Sequence, residues 1–559
     1  MKLSPWFALI LSTLAISIYA VAVLLTGPYA WDDGAITVAF SRTLALEGEF
    51  ALTSVSERVE GTSSLLYTFA MAVPFMVADL SFLQSIYLSQ YLALLLLIIN
   101  LAVINAYVKP KLVDPGSRYL LLFLFLLVPM LLAEILNGME MISAALLMSL
   151  FLVFYQQRSA KIYPVLIALL LCRFEFVFYL GSAISMTWIL DPATRRYNFG
   201  LGVFVGFAFI VISALRFTYF GDIMPNTIWA KMHPPYSGNL DLVGTIRAKI
   251  DGGIGFVRIH FAFFLLLSAI LVLTRNKRFL GDIKTWLIVS YLIFALITGE
   301  NGGYAGRMYV GVLPVFLFLL VDALQDTPQT RQSTFGLAAL ALCATVLVNF
   351  ELAKQNLWLI AKGAYHQNFL PKSLAAHISE RFPPNSLGAS PENYRRTGDS
   401  VNKLRQHIGL SAIRFMAPDV GGLALCCEPA AIEIIDAALL ANSQLAHQGY
   451  QVFERQLVEK SPHIIAIHAM WAEESGVYNS KVFHSNFLPI VFENTLFWIT
   501  SDLFKILKSQ KMLQFKSAAE PFDFGGLRND LRRADLNYIQ QWRAAEKSIF
   551  VIHEIETKE

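Results

Sequence analysis

PWFALILSTLAISIYAVAVLLTGPYAWDDG, residues 5–34, decides the fold class. Pro5 to Thr26 carries no charge over 22 residues. Wound as a helix at about 1.5 Å per residue it reaches the ~30 Å of a bilayer's hydrocarbon core. A secretory leader has a shorter apolar core and a small-residue cleavage site. Pro28-Tyr29-Ala30-Trp31 offers no such site, so the run reads as a retained first span. It ends on Asp32 and Asp33, two adjacent carboxylates placed where the chain leaves the membrane.

The pattern repeats outward from there. The chain has 559 residues, 56% hydrophobic and 15% charged, where soluble domains carry about 25% charge. Further apolar runs lie at 83–108, 119–136, 141–156, 199–220, 257–274, 284–299, 308–324 and 333–350. The stretch 162–190 divides into two short spans at Arg173 and Glu175. The sum is about eleven spans. Ser64 to Ala78 is too short to cross and contains Pro74, so it reads as an interfacial helix within a first loop, 27–82.

Basic residues support that reading. With 64–78 not crossing, Lys2, Lys109, Lys111, Arg118, Arg158, Lys161, Arg195, Arg196, Arg275, Lys277, Arg278 and Arg331 share one side, as cytoplasmic loops do. The acidic first loop and everything after Glu351 then face outward. Residues 1–350 form the membrane domain. Residues 351–559 form a soluble α/β or α+β domain, opened by a linker with Pro371, Pro383, Pro384 and Pro391. Its strands are expected at Ala412–Met416, Ala431–Ile435, His463–Ile467, Leu488–Phe492 and Ser548–Ile552.

A net charge of +3, from 44 basic and 41 acidic residues, argues against a nucleic-acid partner. The four cysteines form no disulfide framework or zinc spacing. Cys172 and Cys343 sit in apolar runs as small hydrophobes, and Cys426 and Cys427 are adjacent.

The polar residues that look out of place fall in six segments on the outer side. Asp32-Asp33 can supply a general base or ligate a divalent cation; a solvated helix start is the plainer alternative. Arg58-Val59-Glu60-Gly61-Thr62-Ser63 leads into the interfacial helix, and Asn137-Gly138-Met139-Glu140-Met141 lies between spans. Arg173-Phe174-Glu175 breaks an apolar run, as an Arg–Glu bridge pinning the bundle or a clamp for a lipid phosphate. Tyr219 to Thr227 is followed by Lys231, and the sixth segment runs from Gly299 to Arg307.

In this order the segments resemble the GT-C superfamily of membrane glycosyltransferases, most closely the branch of the mycobacterial terminal β-(1→2)-arabinofuranosyltransferase. The first loop of that branch, D-D-x-x-I…G…R-V-E-G-x-T-S/N-x-L, stands here as Asp32, Asp33, Ile36, Gly48, Arg58-Val59-Glu60-Gly61-Thr62-Ser63 and Leu65. Its S-G-L-E-T is matched by Asn137 to Met141, and its T-R-P-E-G by Cys172 to Phe176. Its Y-G-x-x-x-P-N-T-x-x-A-K is matched by Phe220 to Lys231, and its late G-R before x-L-P by Gly306-Arg307 and Leu313-Pro314. Phe174 and Met141 depart from that pattern, and Asp419-Val420-Gly421-Gly422 and the Asp436 region are similar to part of the outer domain of some relatives.

The resemblance implies a transferase in a bacterial plasma membrane, with its site facing the periplasm or exterior. It would move a sugar, such as a pentose, from a polyprenyl-phosphate donor to a cell-envelope glycan. Asp32 or Asp33 would be the base, with the first of the pair favoured. Arg173, Lys231 and Arg307 would hold the phosphate. Arg58, Glu60, Glu140, Glu175, Asn226 and Glu300 would orient sugar or acceptor. No metal is called for, although a divalent cation would suit the Asp pair. The competing expectation is a transporter or flippase of a polar lipid, but no inverted repeat is visible.

Overall fold

The computed structural model describes residues 5–112, 114–236, 243–244, 280–297, 307–326, 350–371, 389–516, 527–528, 531–545, 547 and 549–552. The run at 257–274, nearly all of that at 333–350, and Glu300 lie outside these residues.

The described helices run α1 (Pro5–Thr26), α2 (Asp33–Glu47), α3 (Leu65–Val77), α4 (Phe82–Val108), α5 (Pro115–Leu126), α6 (Pro129–Asn137) and α7 (Met141–Gln156). They continue with α8 (Ile162–Cys172), α9 (Phe176–Leu190), α10 (Arg195–Phe220), α11 (Asn226–Ala230), α12 (Ile283–Ile297) and α13 (Leu313–Asp326). Then come α14 (Phe350–His366), α15 (Pro391–His407) and α16 (Gly421–Ala424), with further short helices beyond.

Among the described residues, three helices (α1, α4 and α10) are long and apolar enough to cross a membrane, and α5 with α6, bent by 55°, makes a fourth if it is one broken span. That is fewer than the eleven expected. Helices α7, α8, α9 and α12 are apolar but only 11 to 16 residues long, roughly 17–24 Å. Pro129 and the Arg173–Glu175 break interrupt what the apolar runs alone would continue.

α3 lies where the interfacial helix is expected. Ser64 caps it by accepting from the Tyr67 amide at 3.1 Å. Tyr67, Met71 and Phe75 are buried, while Phe69, Val73, Met76 and Val77 remain apolar and exposed.

The C-terminal part carries a seven-stranded mixed sheet in the order β2-β1-β3-β5-β4-β7-β6. Its strands are β1 (Ile413–Ala417), β2 (Ile432–Asp436), β3 (Ile464–Ile465), β4 (Phe487–Phe492), β5 (Thr495–Thr500), β6 (Leu513–Lys516) and β7 (Ile549–Ile552). β1 runs parallel to β2 on one side and β3 on the other. All five expected strands are present; β5 and β6 were not expected. β4 and β5 form a hairpin in which Phe492 faces Thr495 across a two-residue turn. Glu493 and Asn494 there take φ of 45° and 59°, the left-handed pair that a type I′ turn requires.

Two of the apolar cores among the described residues position the site. One fills the helical bundle, with Leu97, Leu131, Ile142, Leu169, Tyr309 and Phe318. The other joins the first loop to the sheet: Val38, Phe40, Phe50, Leu52 and Met71 pack into one cluster with Val401, Phe415, Ile432, Ile464 and Phe497. The first loop also covers an edge of the sheet. Thr53 Oγ1 donates to the Ile432 carbonyl at 2.8 Å, and the Ile434 amide donates to Ser56 Oγ at 2.9 Å, so β2 offers no bare edge there. The boundary drawn at 350/351 falls at the start of α14, which packs against α1; Asn356 Nδ2 donates to the Pro129 carbonyl at 2.9 Å.

Candidate functional site

The site begins at the join of α1 and α2. The Trp31 amide donates to Asn137 Oδ1 at 3.0 Å. Gly34 lies so close to the α6–α7 turn that a Cβ there would stand 1.7 Å from the Asn137 carbonyl oxygen. Only glycine permits that approach. It places Asp33 beside the turn that carries Glu140.

From Glu140 a chain of charges extends in both directions. Arg307, at the start of the 3-10 turn Arg307–Val312, donates from Nη1 to Asp33 Oδ2 at 3.0 Å and from Nη2 to Glu140 Oε1 at 3.4 Å. Arg173 pairs through Nη1 with Glu140 and donates from Nε to Glu175 Oε1 at 2.7 Å. Glu140 is 1% exposed and Arg173 3%. The α8–α9 break creates this geometry: Cys172 ends one helix, Arg173 turns extended at φ −153°, and Phe176 starts the next. Lys231 ends α11 within the field of Asp33, Glu140, Glu175, Arg173 and Arg307. Burial, together with the two guanidinium groups, lowers its ammonium to about 7.

The structure thus gathers Asp33, Glu140, Arg173, Glu175, Lys231 and Arg307 into one constellation from five separate stretches of chain. At these positions an acceptor hydroxyl and an anionic leaving group could be held on either side of one carboxylate.

The two aspartates differ. Both oxygens of Asp32 are taken by the C-terminal domain: Oδ2 accepts from the Gly421 amide and Oδ1 from the Gly422 amide, each at 2.8 Å. A Cβ on Gly421 would come within 2.8 Å of Asp32, and one on Gly422 within 2.0 Å of the Pro391 carbonyl oxygen. Burial raises the Asp32 carboxyl to about 7 against the pull of its two amides, and neighbouring Asp419 adds to the rise. The Asp33 side chain keeps 36% of its surface open. Confinement raises its carboxyl too, while Arg307 and Lys231 oppose the rise.

Three other candidates lie elsewhere. Glu60 is buried and bidentate with Arg216, at 2.8 and 3.0 Å. Arg58 pairs with half-buried Glu49 and lies over the Tyr219 ring at 5.1 Å. Asn226 donates to the carbonyls of Leu439 at 3.2 Å and Leu440 at 2.7 Å. These contacts hold the first loop and the α10–α11 turn to each other and to the C-terminal domain. Their polar groups are engaged there rather than turned to the constellation.

Two residues at the seam are not among the candidate site residues, although the region of Asp436 shares the outer-domain resemblance. Arg216 interrupts the apolar run of α10, and that interruption was the available signal. Asp436, accepting from the Ala438 and Ala441 amides at 2.7 and 2.6 Å, organises the loop that receives Asn226. Among the described residues, no group of three or more His, Cys, Asp or Glu is arranged to hold a metal ion. Compared with known proteins, the chain matches no family model and no curated protein, so its functional reading stands on this site and on the motifs that build it.

Proposed function

We propose that the chain is a multi-pass glycosyltransferase of about eleven spans. It moves a sugar from a polyprenyl-phosphate donor to a cell-envelope glycan, at the outer face of a bacterial plasma membrane. The observation that carries this reading is the convergence of three cations and three carboxylates next to Asp32, which the C-terminal domain holds, in the order of the motifs that resemble GT-C enzymes.

In this reading Asp33 is the base. It is the more open of the two aspartates, and Arg307 holds it in place. An acceptor hydroxyl attacks the anomeric carbon of the donor and passes its proton to the Asp33 carboxylate. The bond from the anomeric carbon to the phosphate oxygen breaks, and the polyprenyl phosphate leaves with the electron pair. Lys231 and Arg307 meet the charge that develops on it. Arg173, flanked by two carboxylates, orients Glu140 and Glu175 toward the sugar. Asp32 fastens the C-terminal domain over the site. The outward orientation is supported by the basic-residue asymmetry.

Membranes containing the chain, incubated with a panel of radiolabelled polyprenyl-phosphate sugars, should transfer label from at least one donor to endogenous glycan. No transfer above membranes lacking the chain, for every donor, would defeat this reading.

A further inference from the structure

β1 is parallel to β2 on one side and to β3 on the other. With right-handed crossovers, the connections to these neighbours leave on opposite faces of the sheet. A crevice therefore opens beyond the carboxyl ends of β1 and β3, the place where open α/β sheets bind ligands. Here it is lined by Tyr394, Phe415, Asp419, His468, Thr495 and Arg528, among others.

Three polar atoms in this lining are buried without a hydrogen-bond partner: Thr495 Oγ1, His468 Nδ1 and Arg528 Nη1. Thr495 is 1% exposed and His468 8%. Buried polar groups are nearly always satisfied, so three around one crevice point to something that satisfies them. His468 Nε2 faces Asp419 Oδ2 at 3.5 Å. That carboxylate favours the proton on Nε2 and leaves a lone pair at Nδ1.

The crevice therefore asks for a donor at His468, an acceptor at Arg528 and either at Thr495. Hydroxyl groups do both. Asp419 disfavours an anion, and the Tyr394 and Phe415 rings offer apolar surface for C–H groups. The open volume is about 40 Å³, room for about three waters or the hydroxyl-bearing edge of one ring.

We propose that this crevice binds a single neutral sugar unit by its hydroxyl edge. The same loop carries Gly421 and Gly422, which hold Asp32 beside Asp33, so a sugar seated here belongs to the chain that reaches the base. That last step, making the ligand part of the acceptor, rests on the transferase reading; the binding site itself does not.

The test uses the full-length protein in a detergent without a sugar headgroup. Free arabinose, galactose and mannose are titrated by saturation-transfer NMR. At least one should bind with a Kd on the order of 1 mM. Thr495→Val keeps shape and strand preference but removes the hydroxyl. It should weaken binding about tenfold without lowering Tm, because the lost group has no partner in the free protein. His468→Phe should weaken binding similarly. No binding by the wild-type chain at about 50 mM overturns the proposal and leaves a crevice that holds water only. Equal binding by wild type and both variants overturns it as well. Transfer is assayed in parallel. Sugar binding lost in the variants, with no transfer from any donor, sustains the crevice and removes the transferase reading. Transfer with an unchanged acceptor KM in Thr495→Val removes the crevice from the acceptor path.

Discussion

On the proposed mechanism, replacing each aspartate by asparagine separates base from anchor. Asp33→Asn keeps the size of the side chain and removes its charge. The pair it breaks, with Arg307, is partly open to solvent, so the loss of stability should stay within about 1 kcal/mol. Loss of a general base slows a reaction about 10²- to 10⁴-fold, equivalent to roughly 3–5 kcal/mol in the barrier. Asp32→Asn does the reverse. Its carboxylate accepts from two amides at once, and asparagine brings a single acceptor oxygen. One amide then faces an NH₂ group, and a charge-assisted bond worth about 1.5–3 kcal/mol is lost. Asp32→Asn should therefore melt several degrees earlier while folded protein retains much of its transfer rate. The assay is label transfer from a polyprenyl-phosphate sugar, alongside a thermal melt in detergent. If Asp33→Asn retains transfer within about threefold of wild type, against the 10² expected, Asp33 is not the base. If Asp32→Asn alone is dead at an unchanged Tm, the roles are reversed.

Three other outcomes follow from the same geometry. The pH profile of transfer should be a bell: the acid limb lies above the usual carboxylate range because Asp33 is raised, and the alkaline limb begins near 7 as Lys231 loses its proton; Lys231→Arg should move the alkaline limb upward, and an unmoved limb assigns it elsewhere. Glu60→Gln leaves a buried guanidinium unpaired and should cost about 3–5 kcal/mol in thermal unfolding, with Glu60→Gln/Arg216→Met recovering much of it; a double variant no better than the single would mean that Arg216 has another role. A cysteine at position 114 should resist an impermeant thiol reagent in intact cells while one at position 454 reacts, and labelling at 114 would invert the topology.

The sequence carried the architecture where physics is local. The apolar lengths of α1, α4 and α10 and five of the seven strands follow from composition and period alone. The break at Arg173–Glu175 was legible because a charged pair inside an apolar run ends a span. β5 was overlooked because TLFWIT follows β4 after only two residues, and the turn between them uses Glu-Asn rather than a glycine. The gathering of Asp33, Glu140, Arg173, Glu175, Lys231 and Arg307 was expected from the order of the motifs. A division of labour within Asp32-Asp33 is also expected from sequence, but with Asp32 as the base; the ground for preferring Asp33 lies in backbone amides at Gly421 and Gly422 that engage Asp32, nearly four hundred residues away. Arg58, Glu60 and Asn226 show the same limit: their residue types suit a sugar site equally well, and only tertiary partners send them to the seam.

The bond between Asp32 and Gly422 spans 390 positions, and that separation has a consequence during synthesis. Phe40, Phe50 and Leu52 are among the first side chains made, yet the sheet that covers them comes last. At about 5–20 residues per second, the first loop waits roughly 20–80 s beside the membrane with its apolar face uncovered. If the chain spans a membrane as proposed, the exposed side of α3, with Phe69, Val73, Met76 and Val77, is the surface on which that loop would rest against lipid in the interval. Truncation anywhere before β1 would leave the loop in this nascent state, without the sheet that packs over Phe40, Phe50 and Leu52.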